Sequence, residues 1–422
     1  KPATPGKTIV LSIDIVLQQL VEQLFGQRRG AMVAIDPRTG EILAFVSKPT
    51  FDPNLFVEGI DAENWKALNE SLDKPLLNRA LRGTYPPGST FKPFMAMAAL
   101  QSGKRSATQV IMDNGSFSFG NHVFRSHGDH GLGPVDMVRS IVLSSNVYYY
   151  SLANDLGVDT IHDFMKPLGF GQITGIDLPG EVRGVLPSTE WKRKTYKRPE
   201  QQKWYGGETI SLGIGQGYNS FTMLQLAHAT ATIANHGLKM KPHIVREVLD
   251  VETKAPTPVA KEPIGQLPLS PENLDVIKRA MIGVNIEGTS ASSFVGAQYV
   301  SAGKTGTAQV YTVKQNEKYN AATVDERMRD HALYIAFAPA DEPKVALAMV
   351  VENSGFGAQN AAPIARRVFD FVILGQYPSE EDIAAVQKGQ ATRPIGKPRD
   401  VASVPWPPKT ITANAAPISE KP

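Results

Sequence analysis

The chain contains no cysteine, which excludes disulfides, thiol nucleophiles and cysteine-ligated zinc. That absence leaves the compartment open, because a core of this size needs no covalent staples. Long apolar runs are missing as well. Nothing approaches the ~20 residues that cross a bilayer, and pieces such as Val345–Val351 read as buried strands. Neither sign of charge dominates: Lys and Arg number 44 against 41 Asp and Glu, a formal net charge of +3. Scattered, balanced charge argues against nucleic acid as a partner. The one basic cluster, Lys192, Arg193, Lys194, Lys197 and Arg198 before Trp204, reads as a solvated loop. No internal repeat is present. The first residue is Lys and no signal-peptide pattern follows it, so the expectation is a portion of a longer protein with its targeting or anchoring segment out of view.

Strand-like runs sit towards both ends of the chain. Thr8–Ile13 is β-rich, and Asp14–Phe25 has helical spacing. Ala31–Ile35 and Glu41–Ser47 flank Asp36-Pro37-Arg38-Thr39-Gly40, a hairpin signal. Near the other end, Ala302–Tyr311, Ala332–Ala338 and Lys344–Glu352 read as strands and Ala362–Leu374 as a helix. From about residue 60 to 290 the apolar periodicity is mostly helical, as in Phe91–Gln101, Asp136–Leu156 and Thr222–His236. The pattern implies an α+β fold: one antiparallel sheet built from both chain ends, interrupted by a large helical insertion. Residues 1–6 read as loose. Seven prolines between Pro394 and Pro422 make 376–422 a disordered tail in this reading, with 7–375 as the folded domain.

Three short motifs offer chemistry. Ser89-Thr90-Phe91-Lys92 follows a Tyr85-Pro86-Pro87-Gly88 turn and opens an apolar helix. There a hydroxyl meets unpaired backbone N–H groups and the positive dipole end. The i, i+3 spacing brings Lys92 to the same face, and a desolvated lysine can serve as a base. An ordinary helix cap at Ser89 is equally consistent with the tetrad. Ser71-Leu72-Asp73-Lys74 repeats the spacing without the turn or the apolar helix. Ser144-Ser145-Asn146 lies in the apolar stretch Val142–Leu152. Such a triplet needs buried partners, in a site or as a helix cap. Lys304-Thr305-Gly306-Thr307 resembles the end of a phosphate-binding loop, but the first glycine is replaced by Gln298 and a strand-like run follows. A strand edge with lysine, glycine and two threonines suits a carboxylate better. Nor is Gly213-Ile214-Gly215-Gln216-Gly217 a dinucleotide fingerprint, since Tyr218 follows.

In the order S-x-x-K, S-x-N, K-T-G, separated by 55 and 160 residues, the three resemble the penicilloyl-serine transferase superfamily. Tyr85-Pro86-Pro87-Gly88-Ser89-Thr90-Phe91-Lys92-Pro93 is similar to the nucleophile segment of class B penicillin-binding proteins. The segments Asp52–Val57, Thr174–Pro179, Gly213–Tyr218 and Arg329-Asp330-His331 resemble the elongation-specific branch of that class. The resemblance spans roughly residues 7–375 and implies the penicillin-binding protein/β-lactamase-like transpeptidase fold. It also implies a peptidoglycan D,D-transpeptidase at the periplasmic face of the inner membrane. The expected partners are peptidoglycan stem peptides, β-lactams as covalent inhibitors, and a SEDS-family glycosyltransferase with other elongation-complex proteins.

By the same resemblance Ser89 attacks, Lys92 takes its proton, and Ser144 relays one to the leaving amine with help from Lys304. Asn146 orients Lys92 and the substrate amide. Backbone N–H groups of Ser89 and Thr307 form the oxyanion hole, and Thr305, Gly306 and Thr307 hold the substrate's carboxylate end. No cofactor is implied. Some relatives hold zinc beside the second motif through Asp, His and Cys. Here Asp113, His127, Asp129 and His130 cluster, but Ile141 stands about where the cysteine belongs, and no metal is expected. A β-lactamase, a D,D-carboxypeptidase and a β-lactam-sensing receptor share the motifs, and turnover separates them.

Overall fold

The central sheet has five antiparallel strands, drawn from both ends of the sequence. The computed structural model describes residues 6–126, 130–310 and 323–405. Strands β1 (Gly30–Ile35) and β2 (Ile42–Lys48) form the predicted hairpin, and β3 (Ala302–Ala308), β4 (His331–Ala338) and β5 (Val345–Val351) come from the far end. Their order across the sheet is β3-β4-β5-β1-β2, so β3 is an edge strand.

Both faces of this sheet are covered, which explains why β1 and β5 read as continuous apolar runs rather than alternating ones. Val33, Ile335 and Ala348 face a core shared with the helices α2 (Lys92–Ser102), α3 (Met137–Val142), α4 (Asn146–Leu156), α5 (Met223–Ala234) and α6 (Pro271–Ile286). Met32, Tyr334 and Leu347 face a second core with the helices α1 (Ile15–Phe25) and α7 (Ala362–Leu374). Asp14 caps α1 by accepting the N–H groups of Val16 and Leu17. Helix α5 is buried along its whole length against β5 and β1. No helix among the described residues is long and apolar enough to cross a membrane.

Several expectations are corrected. Thr8–Leu11 pairs with Val245–Leu249 in a separate three-stranded sheet; β-propensity marks a strand but not its partner. The expected helix Asp136–Leu156 is two helices, α3 and α4, broken where Ser144 adopts φ +59°. The strand expected over Ala302–Tyr311 ends at Ala308, and Tyr311 lies outside the described residues. The basic cluster is not wholly solvated: Lys192 is buried, its amine 2.5 and 2.6 Å from the two Glu208 carboxylate oxygens.

The tail expected to be disordered from residue 376 is folded as far as residue 405. Helix α8 (Glu380–Gln387) buries Ile383 and Val386 in the core shared with α1 and α7. Arg367 of α7 forms a fully buried ion pair with Asp382 (2.5 Å) and donates to the Thr392 carbonyl (2.6 Å). A buried pair of this kind holds the segment in place, because breaking it strands a charge in the interior. Residues 406–422, like 1–5, lie outside the described residues.

Candidate active site

The turn before Ser89 is anchored from two sides. Tyr85 exchanges backbone hydrogen bonds with Phe221 (2.9 Å each), and its hydroxyl donates to Glu352 (2.7 Å). Arg79 donates to the same carboxylate oxygen (2.8 Å), and His331 packs edge-on against the Tyr85 ring. Gly88 then takes φ +54°, and a Cβ there would come within 2.5 Å of the Thr307 carbonyl oxygen. Only glycine lets the turn before Ser89 approach the edge strand this closely. Ser89 lies in a 3-10 turn, Gly88–Phe91, that leads into α2 at Lys92, with Pro93 tolerated in the first helical turn. Its Oγ has no hydrogen-bond partner among the described residues and faces a cavity of about 440 Å³.

Lys92 is fully buried. Its amine donates to the Ser144 carbonyl (2.7 Å) and to Asn146 Oδ1 (2.7 Å), and lies 3.2 Å from Ser144 Oγ. Burial holds its pKa well below the ordinary lysine value of 10.5; Lys304 pushes it the same way and Asp113 opposes. Ser144 carbonyl and Asn146 Oδ1 accept hydrogen bonds but cannot donate. They therefore engage two amine protons, and the third position is left for proton exchange with a hydroxyl. Lys304, also fully buried, donates to Ser144 Oγ (2.8 Å) and to the Thr305 carbonyl (3.1 Å). Desolvation lowers its pKa to about 7. Ser144 Oγ thus stands between two lysines whose charged forms burial disfavours.

Both open readings of the Ser144-Ser145-Asn146 triplet hold, for different residues. Ser145 is the cap of α4: its Oγ accepts the Tyr148 N–H (3.1 Å) and donates to the buried Asp113 carboxylate (2.6 Å). The left-handed backbone at Ser144, rare for a residue with a Cβ, turns the outer two side chains towards Lys92. Asn146 and Ser144 line the cavity with Ser89, Thr305, Gly306 and Thr307. The eight residues named from the sequence therefore meet in one place, Lys92 and Lys304 behind its wall. Ser71 ends the helix Ala62–Glu70 and does not line this cavity; Asp73 beside it pairs with Arg29 and Arg327.

Other contributors had no spacing signal in the sequence. Thr289, just beyond α6, shares a 2.7 Å hydroxyl–hydroxyl hydrogen bond with Thr305. Gln216 donates to the Thr307 carbonyl (3.3 Å). The Gly88 N–H donates to the Gly215 carbonyl (3.0 Å), and a Cβ on Gly215 would lie 2.2 Å from the Gly88 oxygen. Glycine density at Gly213–Gly217 was the available clue, and close backbone packing of Gly215 against Gly88 is its cause. Of the acidic–histidine cluster, His127 and Asp129 lie outside the described residues. Asp113 is engaged by Ser145 and the Gly115 N–H, and Ile141 is part of the apolar core.

Residues 30–370 match the family model described as the penicillin binding protein transpeptidase domain. The chain belongs to this family. It is 45% identical over 378 residues to the peptidoglycan D,D-transpeptidase MrdA of Acinetobacter baumannii, covering 89% of this chain and 55% of that protein. Among solved structures, Pseudomonas aeruginosa PBP2 in complex with WCK 5153 superposes with a TM-score of 0.79 at 42% identity, covering 90% of this chain and 77% of that one. Helicobacter pylori PBP2, in its complex with MreC, gives a TM-score of 0.76 at 30% identity over 87% of this chain and 64% of that one. The family's transpeptidase fold is the α+β architecture described above. The chain spans 55–59% of the length of three curated relatives that it matches.

Proposed function

We propose that this domain is the catalytic part of an elongation-type peptidoglycan D,D-transpeptidase, acting through an acyl-serine intermediate. The observation that carries the reading is Ser144 Oγ within 3.2 Å of the Lys92 amine and 2.8 Å of the Lys304 amine, beside the unbonded Ser89 hydroxyl. Ser89 Oγ attacks the penultimate carbonyl carbon of a D-Ala-D-Ala terminus while its proton passes to neutral Lys92. The carbonyl oxygen becomes an oxyanion held by the N–H groups of Ser89 and Thr307. As the C–N bond breaks, Ser144 gives its proton to the departing D-alanine amine and is reprotonated from the lysines. An amine of a neighbouring stem then attacks the acyl-enzyme and Ser89 recovers its proton.

Thr305 and Thr307 hold the terminal carboxylate, and Lys304 supplies positive potential behind them. The edge position of β3 supports this role, because an unpaired edge can receive an extended substrate chain. β-Lactams act as covalent inhibitors at the same serine. The setting is the periplasmic face of the inner membrane, with a SEDS-family glycosyltransferase and elongation-complex proteins as partners. Incubation with a D-Ala-D-Ala stem peptide and an amine acceptor tests the reading. Release of D-alanine with a new amide to the acceptor is expected; release by hydrolysis alone, or rapid turnover of penicillin, overturns it.

A further inference from the structure

The basic cluster seen in the sequence takes no part in acyl transfer, yet it is built into the fold. From Glu190 to Tyr205 six basic residues oppose two acidic ones, a net +4 where the whole chain carries +3. Lys192 is the anchor of this segment. Its buried amine pairs with Glu208 and lies 5.3–5.7 Å from the ring centroids of Trp204, Tyr205 and Tyr218. The Tyr218 hydroxyl donates to the same carboxylate (2.9 Å), as does the Tyr205 N–H (2.8 Å). Ser188 caps the helix Thr189–Thr195 by accepting the Trp191 N–H (2.9 Å), and Asp159 accepts from both the N–H and the hydroxyl of Thr189. One cation thus pins the segment to the domain, while Arg193, Lys194, Lys197, Arg198 and Lys203 are exposed. Lys194 pairs with Glu190; the other four have no carboxylate partner among the described residues.

Two contacts tie this platform to the rim of the cavity. Gly206 abuts Phe119, where a Cβ would come within 2.6 Å of the ring, and the hairpin that holds Phe119 ends at Arg125 on the cavity wall. Tyr218 stands two residues beyond Gln216, which lines the cavity and donates to the Thr307 carbonyl. None of the five exposed cations lines the cavity itself, so they face the parts of a substrate that stay outside it. We infer that this platform docks the acceptor strand of the cross-linking reaction, a glycan polymer whose stem peptides carry free carboxylates. The inference rests on the transpeptidase reading. Once the acyl-enzyme has formed, the donor is held covalently, whereas the acceptor has no bond to the enzyme and is retained by surface contacts alone. A cluster of unpaired cations beside the cavity offers a polyanionic strand several contacts at once, which raises the local concentration of its amine at the acyl-serine.

The test uses the whole chain and soluble, uncross-linked peptidoglycan strands with tetrapeptide stems, which cannot serve as D-Ala-D-Ala donors. Binding is titrated with the strand carboxylates free or blocked as ethanolamides, the strand amines being acetylated in both. Free-carboxylate strands should bind roughly tenfold tighter, an advantage that shrinks as salt rises. The triple variant Arg193→Gln, Lys197→Gln, Arg198→Gln should bind both forms alike, while Arg193→Lys with Arg198→Lys keeps the charge and should keep the preference. In transfer from a D-Ala-D-Ala peptide, the triple variant should show a raised KM for strands with free amines and unchanged transfer to a free D-amino acid. Equal binding of the two strand forms by the unmodified chain, or an undiminished preference in the triple variant, overturns the platform. So does tighter binding to phosphatidylglycerol vesicles than to strands, or an equal loss of transfer to both acceptors. A chain that a fluorescent penicillin does not acylate fails the transpeptidase reading instead; the strand titration needs no acylation and decides the platform separately.

Discussion

Replacing Lys92 by arginine or by methionine separates its charge from its proton. Arginine keeps the cation but cannot release a proton near neutral pH; methionine keeps most of the volume and removes the amine. If Lys92 is the base, both variants lose a positioned acid–base group and acylation falls about 10²–10⁴-fold, which is roughly 3–5 kcal/mol of barrier. Methionine also leaves the Ser144 carbonyl and Asn146 Oδ1 without their donor. Each unpaired buried acceptor costs about 1–3 kcal/mol, partly offset because the amine no longer has to be desolvated. A thermal melt therefore accompanies the kinetics. The assay is the time course of covalent labelling by a fluorescent penicillin between pH 5 and 9. Because Lys92 has its pKa pushed well below the usual lysine range, acylation by the unmodified chain should rise with pH as the amine loses its proton. Lys92→Met should lack that limb. Acylation within threefold of normal in a folded Lys92→Arg, or an unchanged pH limb in Lys92→Met, refutes the assignment.

Lys304 should leave a signature in stability. Its pKa is about 7 in the folded chain against 10.5 for an ordinary lysine, so between those values the unfolded chain binds the extra proton. Stability from this group therefore rises with pH across the window, by up to about 1.4 kcal/mol per unit, and urea unfolding of Lys304→Met at pH 7 and 9 should show a shallower rise. Thr305→Val or Thr307→Val should slow acylation by carboxylate-bearing β-lactams roughly ten- to a hundredfold. An analogue esterified at that carboxylate should be affected far less, and ATP should not compete. Gly88→Ala, which forces a Cβ to 2.5 Å from the Thr307 oxygen at φ +54°, should cut acylation sharply; normal labelling by this variant would show that the turn and edge strand need not approach so closely.

The sheet was legible because its strands are short apolar runs with turn residues between them, and the helical insertion because its periodicity is long. What remained hidden depends on contacts across the chain. Thr8–Leu11 is a strand by propensity, but its partner Val245–Leu249 lies inside the insertion. The break at Ser144 needs a left-handed residue that no composition announces, although Ser145 carried a cap signal. Proline density in the last segment concealed the Arg367–Asp382 pair, which joins residues fifteen apart across two helices. In the site, the three motifs were readable from residue type and order. Thr289 and Gln216 were not: they reach Thr305 and Thr307 across 16 and 91 residues, and no spacing rule links them.

The nucleophile is the central claim, and mass spectrometry of a penicillin adduct addresses it most directly. The intact chain should gain one penicillin mass, and peptide mapping should carry the label to Ser89. That residue alone joins the glycine turn, the unbonded hydroxyl in the cavity and the buried lysine one helical turn on. A label on Ser71, on Ser144 or on any other residue, or no covalent adduct at all, contradicts the account.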